Sequence, residues 1–249
     1  MTGPVYMVSV VRDWAMYRRC IGNNPVCGGL QLCPLDNTQE NLGIPQHYNR
    51  FLDSLQEDGW VVFCHEDWMP LEDLRPLLEN LDRNALYGPV GAVLEHAPHA
   101  DFIHLSGTVE QCHKDGRFRK TVRGTWTDGM ADTFDCQCVI AHSATLREKG
   151  LRFDPQLSFD LYAEDFCAAA ALSGVPSRIL PVRCRHYSGG RLSMRFYSGL
   201  AYLREKYRRS PRRFPSPVHS RIFFGGTSTL PVYNFRPRLR ERIRYFLKK

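Results

Sequence analysis

The chain has 249 residues and a mass of 28.7 kDa, with 43% hydrophobic and 24% charged side chains and a formal charge of +7. That composition belongs to a globular domain large enough to bury a substantial core, and it excludes disorder, collagen and coiled coil as descriptions of the whole. No apolar run approaches the roughly 18 residues of a membrane span, and the apolar start is too short for a signal peptide and reads as a first strand.

In chain order, Val5–Val11 is a continuous β-branched and apolar run, expected as a buried strand. Gly28–Leu35 is a second strand, ending at Asp36-Asn37. Pro45 suits a first helical turn, and Tyr48, Phe51, Leu52 and Leu55 follow at helical spacing until Gly59. Trp60–Cys64 is a third strand, Glu72–Leu81 a helix with Leu74, Leu77, Leu78 and Leu81 on one side, and Val90–Leu94 a fourth strand. This alternation predicts an α/β domain with a largely parallel sheet. The middle is built of short alternating pieces, with a hairpin turn at Lys114-Asp115-Gly116-Arg117 and a strand over Phe134–Ala141. Phe159–Asp165 leads into an Ala-rich helix closed by Ser173-Gly174. Ile179–Val182 is a strand, His186–Gly190 a loop, and Met194–Tyr207 a helix. The Pro/Arg stretch RRSPRRFPSP reads as a linker or extended arm. Leu239, Ile243 and Phe246 then suit a short basic amphipathic helix. The expected organisation is one domain over 1–207 and a basic arm over 208–249.

The charge is unevenly spread. From Ser177 onward there are 19 basic and 2 acidic residues, a net +17, whereas the first 176 carry 14 and 24, a net −10. An acidic body with a basic end points to a polyanionic partner: nucleic acid, an anionic membrane surface or a phosphorylated substrate. The nine cysteines are odd in number, and several sit in apolar runs, which suits free thiols in a reducing compartment. Cys136-x-Cys138-x3-His142 lacks a CxxC partner, and alternation places both cysteines on one face of a strand, so it is expected to pack and not to bind zinc. His96, His99, His104 and His113 are too loosely spaced for a zinc site. Phe102 and Trp126 could shape an acceptor pocket, but packing is the more economical expectation for such aromatics. No Gly-rich phosphate loop is present, which argues against a kinase, an NTPase or an NAD enzyme.

Three constellations carry chemistry. His65-Glu66-Asp67 directly follows a strand, where ligands bind in open α/β sheets. An imidazole and a carboxylate there suit a divalent cation that also takes phosphate oxygens. Glu164-Asp165 opens a helix, and His186-Tyr187-Ser188-Gly189-Gly190 follows a strand, with glycines that permit close backbone approach to a ligand.

In this order the three motifs resemble the GT-A glycosyltransferases, in particular the family-2-like branch related to the streptomycin-biosynthesis protein StrF. The resemblance also rests on Arg152-Phe153-Asp154, Asp160-Leu161-Tyr162, Asp36-Asn37 and Tyr48-Asn49, and covers about residues 5–205. It implies a GT-A α/β fold, with a mostly parallel central sheet flanked by helices, here followed by a basic C-terminal extension. Arg12, Asp13, Asp36, Asn37, Asn49, Glu66 and Glu164 would then lie around the nucleotide-sugar. His65, Asp67 and His186 would hold Mn²⁺ or Mg²⁺, with His65 standing where the family more often has an acid. Asp165 would be the general base that deprotonates the acceptor hydroxyl in an inverting transfer from a nucleotide-diphospho-sugar. The implied setting is cytoplasmic, with the basic end at the inner membrane face and the acceptor a precursor of a polysaccharide, glycolipid or glycoconjugate. Two other readings stand beside it: a non-catalytic protein of the same fold, and a nucleic-acid-binding protein using the basic end.

Overall fold

The computed structural model describes residues 3–113, 115–122, 129–188, 193–218 and 222–234. Lys114, Trp126, Gly189, Gly190 and the amphipathic helix expected around Leu239–Phe246 lie outside these residues.

The chain begins with β1 (Val5–Val11), α1 (Trp14–Tyr17) running into a π-helical turn (Arg18–Gly22), and a 3-10 turn (Pro25–Cys27). Next come β2 (Gln31–Asp36), α2 (Ile44–Ser54), β3 (Trp60–Cys64), β4 (Trp68–Pro70) and α3 (Arg75–Leu78). The middle holds β5 (Leu86–Gly88), β6 (Val90–Ala97), β7 (Ala100–Cys112), β8 (Phe118–Val122), β9 (Met130–Ala131), β10 (Thr133–Phe134) and β11 (Cys138–His142). The last part comprises α4 (Ser143–Glu148), α5 (Tyr162–Leu172), β12 (Ser177–Ile179), β13 (Cys184–His186) and α6 (Met194–Lys206), then β14 (Arg213–Pro215), β15 (Phe223–Gly225) and β16 (Val232–Asn234).

The main sheet has the order β2-β1-β3-β11-β5-β12-β9. It is mixed: β2, β1 and β3 run parallel, as do β5 and β12, while β11 is antiparallel to both its neighbours and β9 is antiparallel to β12. The apolar run of β1 is explained by burial on both faces. Tyr6, Val8 and Val10 enter one core, and Val5, Met7 and Val11 enter the other. The first core takes in α2, α5 and α6. The second is closed by Tyr17, Ile21, Trp68, Leu74 and Leu78. A second sheet, β10-β6-β7-β13-β4, lies beside it, with β8 and β16 also paired to β7.

Three expectations change. The helix expected over 72–81 shrinks to α3, because the Asp73 carboxylate accepts from the Arg75 backbone and side chain and sets a turn, although Leu74 and Leu78 are buried as the spacing required. The strand expected over 134–141 is interrupted at 135–137, where Asp135 Oδ1 accepts from Gln137 N. Cys136 therefore lies in the first core and Cys138 in the second, not on one face. All nine thiols are free. Finally, the described part of 208–249 is not an extended arm. β14 and β15 pair with each other, Phe214 and Phe224 are buried beside Tyr207 in the first core, and Thr133 Oγ1 donates to Pro215 O at 2.7 Å. Two phenylalanines hidden in a Pro/Arg-rich stretch provide the anchoring apolar surface. Among the described residues no helix is long and apolar enough to cross a membrane.

Candidate functional site

The carboxyl ends of β1, β2 and β3 open into a cleft of about 770 Å³. Its floor and walls include Arg12, Asn37, His65, Glu66, Asp67 and His186, six of the residues singled out in the sequence, together with Asp135, Phe159, Asp160, Ser193 and Arg195. A parallel arrangement leaves these strand ends free of hairpins, so loops with polar side chains gather there.

The HisGluAsp segment divides its work among three side chains. Glu66 reaches back to the end of β1, where its Oε2 accepts from Arg12 N at 2.7 Å and Asp13 N at 2.9 Å. Asp67 turns to the imidazoles, with its Oδ1 at 3.3 Å from His186 Nε2 and 4.0 Å from His65 Nδ1. One donor atom from each of His65, Asp67 and His186 lies within 4.8 Å of the others. Gln111, opposite His186 in the parallel β7–β13 register, brings its amide to 3.2 Å from His186 Nδ1 and also meets Ser188 O. The His65 ring stacks against Phe159, with centroids 5.3 Å apart.

These environments set the charges of His65 and Asp67. Burial drives the His65 pKa down to about 4, outweighing the pull of Asp67, so its imidazole is neutral at neutral pH. For Asp67 burial acts upward, but His186 and then His65 outweigh it and hold the carboxyl below its usual range. A neutral His65 and the Asp67 carboxylate thus stand beside the His186 ring. The Nε2 of His65 is buried without a hydrogen-bond partner, and that of His186 meets only the Asp67 carboxylate. An orphaned imidazole nitrogen beside a second imidazole and a carboxylate fits a divalent cation, and this N₂O set suits Mn²⁺ better than Mg²⁺, which favours oxygen donors.

Asp13, Asp36 and Asn49 fall outside the cleft, and Asn37 lines it without a free amide. Asp13 caps α1, accepting from Ala15 N and Met16 N at 2.9 and 3.0 Å. Asp36 is exposed and accepts from Thr38 N, the bonds to Thr38 holding its pKa down. Asn37 does line the cleft, but its amide is committed to Leu42, donating to its O at 2.8 Å and accepting from its N at 2.9 Å. Asn49 welds α2 to the segment before α5, bonding Phe153 O and N at 2.8 and 3.0 Å.

Glu164 and Asp165 are likewise buried in the body. Leu161 holds a left-handed backbone (φ 65°), which lets Asp160 and Leu161 line the cleft while Tyr162 packs inward and α5 begins. Two and three residues further on, the acidic pair points away from the cleft. Glu164 accepts from Ser216 Oγ at 2.9 Å and from Cys136 Sγ at 3.3 Å, and its burial pushes its pKa up to about 7. Asp165 accepts from Lys206 Nζ and from Tyr207 Oη at 2.9 Å. Burial pulls the Lys206 pKa down, but Asp165 and Asp154 together hold it above its ordinary value, so the lysine is charged.

The cleft residues that the sequence did not single out are Asp135, Phe159 and Arg195, with Gln111 behind them. Asp160 stood in a quoted motif without a role, and it pairs with Arg195 Nε at 2.7 Å. Nothing local marks them, because a strand interrupted at 135 and a left-handed Leu161 decide which side chains reach the cleft.

Among solved structures, the chain is similar to GalNAc-T7, determined with UDP, GalNAc and Mn²⁺, with a TM-score of 0.52 at 10% identity over 83% of this chain and 51% of that one. It is also similar to TarS of S. aureus, with a TM-score of 0.51 at 12% identity over 83% of this chain and 40% of that one. No protein-family model and no curated protein matches the chain. The fold is that of the GT-A glycosyltransferases. The chain spans about half the length of GalNAc-T7 and two fifths of TarS.

Proposed function

We propose that the protein transfers a sugar from a nucleotide-diphospho-sugar to an acceptor hydroxyl, with inversion, in the manner of the family-2-like branch. The observation that carries this reading is the His65–Asp67–His186 cluster on a cleft at the ends of the parallel strands. A divalent cation, Mn²⁺ before Mg²⁺, would be held by those three side chains and would supply Lewis-acid neutralisation of the leaving diphosphate. Arg12 and Arg195 bring positive charge to the same cleft, where phosphates would bind. Four carboxylates face the cleft: Glu66, Asp67, Asp135 and Asp160. Each is already engaged, Glu66 by backbone amides, Asp67 by the imidazoles, Asp160 by Arg195 and Asp135 by Gln137 N, so whichever takes the acceptor's proton must leave its present partner. Asp165, the base implied by resemblance, would need to leave Lys206 to do so.

The acceptor class in this reading is a precursor of a polysaccharide, glycolipid or glycoconjugate, handled in the cytoplasm at the inner membrane face. A non-catalytic donor-binding protein is the second reading, favoured by the commitment of Asp165 to Lys206.

Thermal unfolding with UDP-, GDP-, CMP- and dTDP-sugars, with and without Mn²⁺, tests the proposal, because a ligand of the folded state raises its stability. A metal-dependent shift with one nucleotide class, followed by release of the free nucleotide, supports transfer. A shift without release selects the binding reading, and no shift with any of them removes both.

A further inference from the structure

The α6 helix has two unlike sides. Phe196, Leu200 and Leu203 are buried in the first core. Met194, Tyr197, Ala201 and Arg204 recur every three or four residues on the opposite side and are all exposed, as is Arg208 just beyond the helix. Met194 is 79% exposed and Tyr197 49%. Single exposed apolar residues are ordinary, but these are grouped. Among the described residues, five of the nine exposed large hydrophobics lie on α6 or line the cleft: Phe159, Met194, Tyr197, Tyr202 and Val218. The first turn of α6 also supplies Arg195 and Phe196 to the cleft wall.

The same helix and its continuation are strongly basic. From Arg195 to Arg213 the sequence holds seven basic residues and one acidic residue. Several are turned toward acids of the body, as in Arg195–Asp160, Lys206–Asp165, Arg212–Asp132 and Arg213–Asp101. Arg204 and Arg209 are exposed and make no ion pair among the described residues. An apolar, tyrosine-bearing end followed by unpaired arginines is complementary to the interface of an anionic bilayer, where apolar side chains enter the headgroup layer and guanidinium groups meet phosphates.

We propose that the outward face of α6 is a docking surface for an anionic lipid bilayer, with the cleft mouth lying beside that surface. That the cleft thereby meets a membrane-borne acceptor rests on the transferase reading above; the docking surface does not.

The test is sedimentation of the full chain with phosphatidylcholine vesicles, with and without phosphatidylglycerol. Compared are Met194→Asp with Tyr197→Asp, Arg204→Glu with Arg209→Glu, and a chain with Arg236, Arg238, Arg240, Arg242 and Arg244 changed to Gln. The wild type should pellet only with phosphatidylglycerol, and each of the first two pairs, on α6 and just after it, should weaken this by roughly tenfold, as loss of interfacial anchors and basic contacts predicts. The tail variant should retain most of its binding. Unaltered binding by both pairs, its complete loss in the tail variant, or a wild type that does not pellet would overturn the proposal. So would salt-sensitive binding to an oligonucleotide that matches the vesicle affinity and ignores Met194 and Tyr197. Thermal shifts with Mn²⁺ and nucleotide-sugars on the same variants show that they are folded. Absence of those shifts in every chain, with vesicle binding intact, would count against the transferase and not against the surface.

Discussion

Lys206 donates from Nζ to both carboxylate oxygens of Asp165, at 2.7 and 3.0 Å, and so ties the end of α6 to the first turn of α5 across 41 residues. Tyr207 adds a hydroxyl to the same carboxylate, and Asp154 accepts from the same lysine at 2.6 Å. A carboxylate held in this way aligns two helices that share one core. It is not directed at a hydroxyl in the cleft.

The first prediction follows from that bond. Asp165→Asn removes one of the two carboxylates that hold Lys206, whose side chain is only 30% exposed, and leaves it Asp154. Leaving a buried charge with no partner costs roughly 3 kcal/mol or more, and because Lys206 keeps Asp154 the loss here should be about 1–2 kcal/mol. Urea unfolding should show that loss, while the nucleotide-sugar thermal shift survives. A variant as stable as wild type that binds donor but no longer turns it over would return Asp165 to the role of base.

The second concerns the cation. Mn²⁺ should raise the melting temperature of the wild type, and His186→Ala or Asp67→Asn should abolish the shift, since each removes one of three ligands. Gln111→Ala leaves all three in place but frees the His186 ring. It should weaken Mn²⁺ by about tenfold, the smaller of the effects seen for groups that orient ligands. Equal Mn²⁺ shifts in wild type and His186→Ala would show that the cluster holds no metal.

How far the sequence carries to these sites can be seen residue by residue. β1, β3 and the helix carrying Tyr48 are legible because burial on a sheet or helix face leaves a local period in the chain. His65, Asp67 and His186 are legible as motifs at strand ends. The orientation of Asp165 is not, because it depends on the left-handed Leu161 and on a lysine from another helix. The same limit hides Phe214 and Phe224. Two aromatics among arginines and prolines have no period, and only the partner surface of α5 and α6 makes them core.

The third prediction tests that packing. Phe214→Ala should cost about 3–4 kcal/mol, the range for emptying a buried aromatic site. Chemical denaturation would read it directly. A change of only a few tenths would mean that the segment beyond Tyr207 is a separate arm after all.

The fourth uses Glu164, fully buried with its pKa raised to about 7. The folded state prefers this group protonated, whereas the unfolded chain ionises it near its ordinary value of 4.5. The sign follows from the difference in bound protons. As pH rises above 4.5 the unfolded state gains by releasing its proton and the folded state does not, so stability falls until about pH 7 and is then level. The full change is at most about 3 kcal/mol, from 1.36 kcal/mol per pH unit over that interval. Glu164→Gln keeps an acceptor for Ser216 Oγ but has no proton to hold. Its unfolding free energy, measured from pH 4.5 to 8, should lose most of this slope, and the variant should be the more stable protein at pH 8. If wild type and Glu164→Gln follow parallel curves, Glu164 is ionised in the fold at low pH, and the contact joining α5 to the C-terminal hairpin is a charge-assisted bond instead.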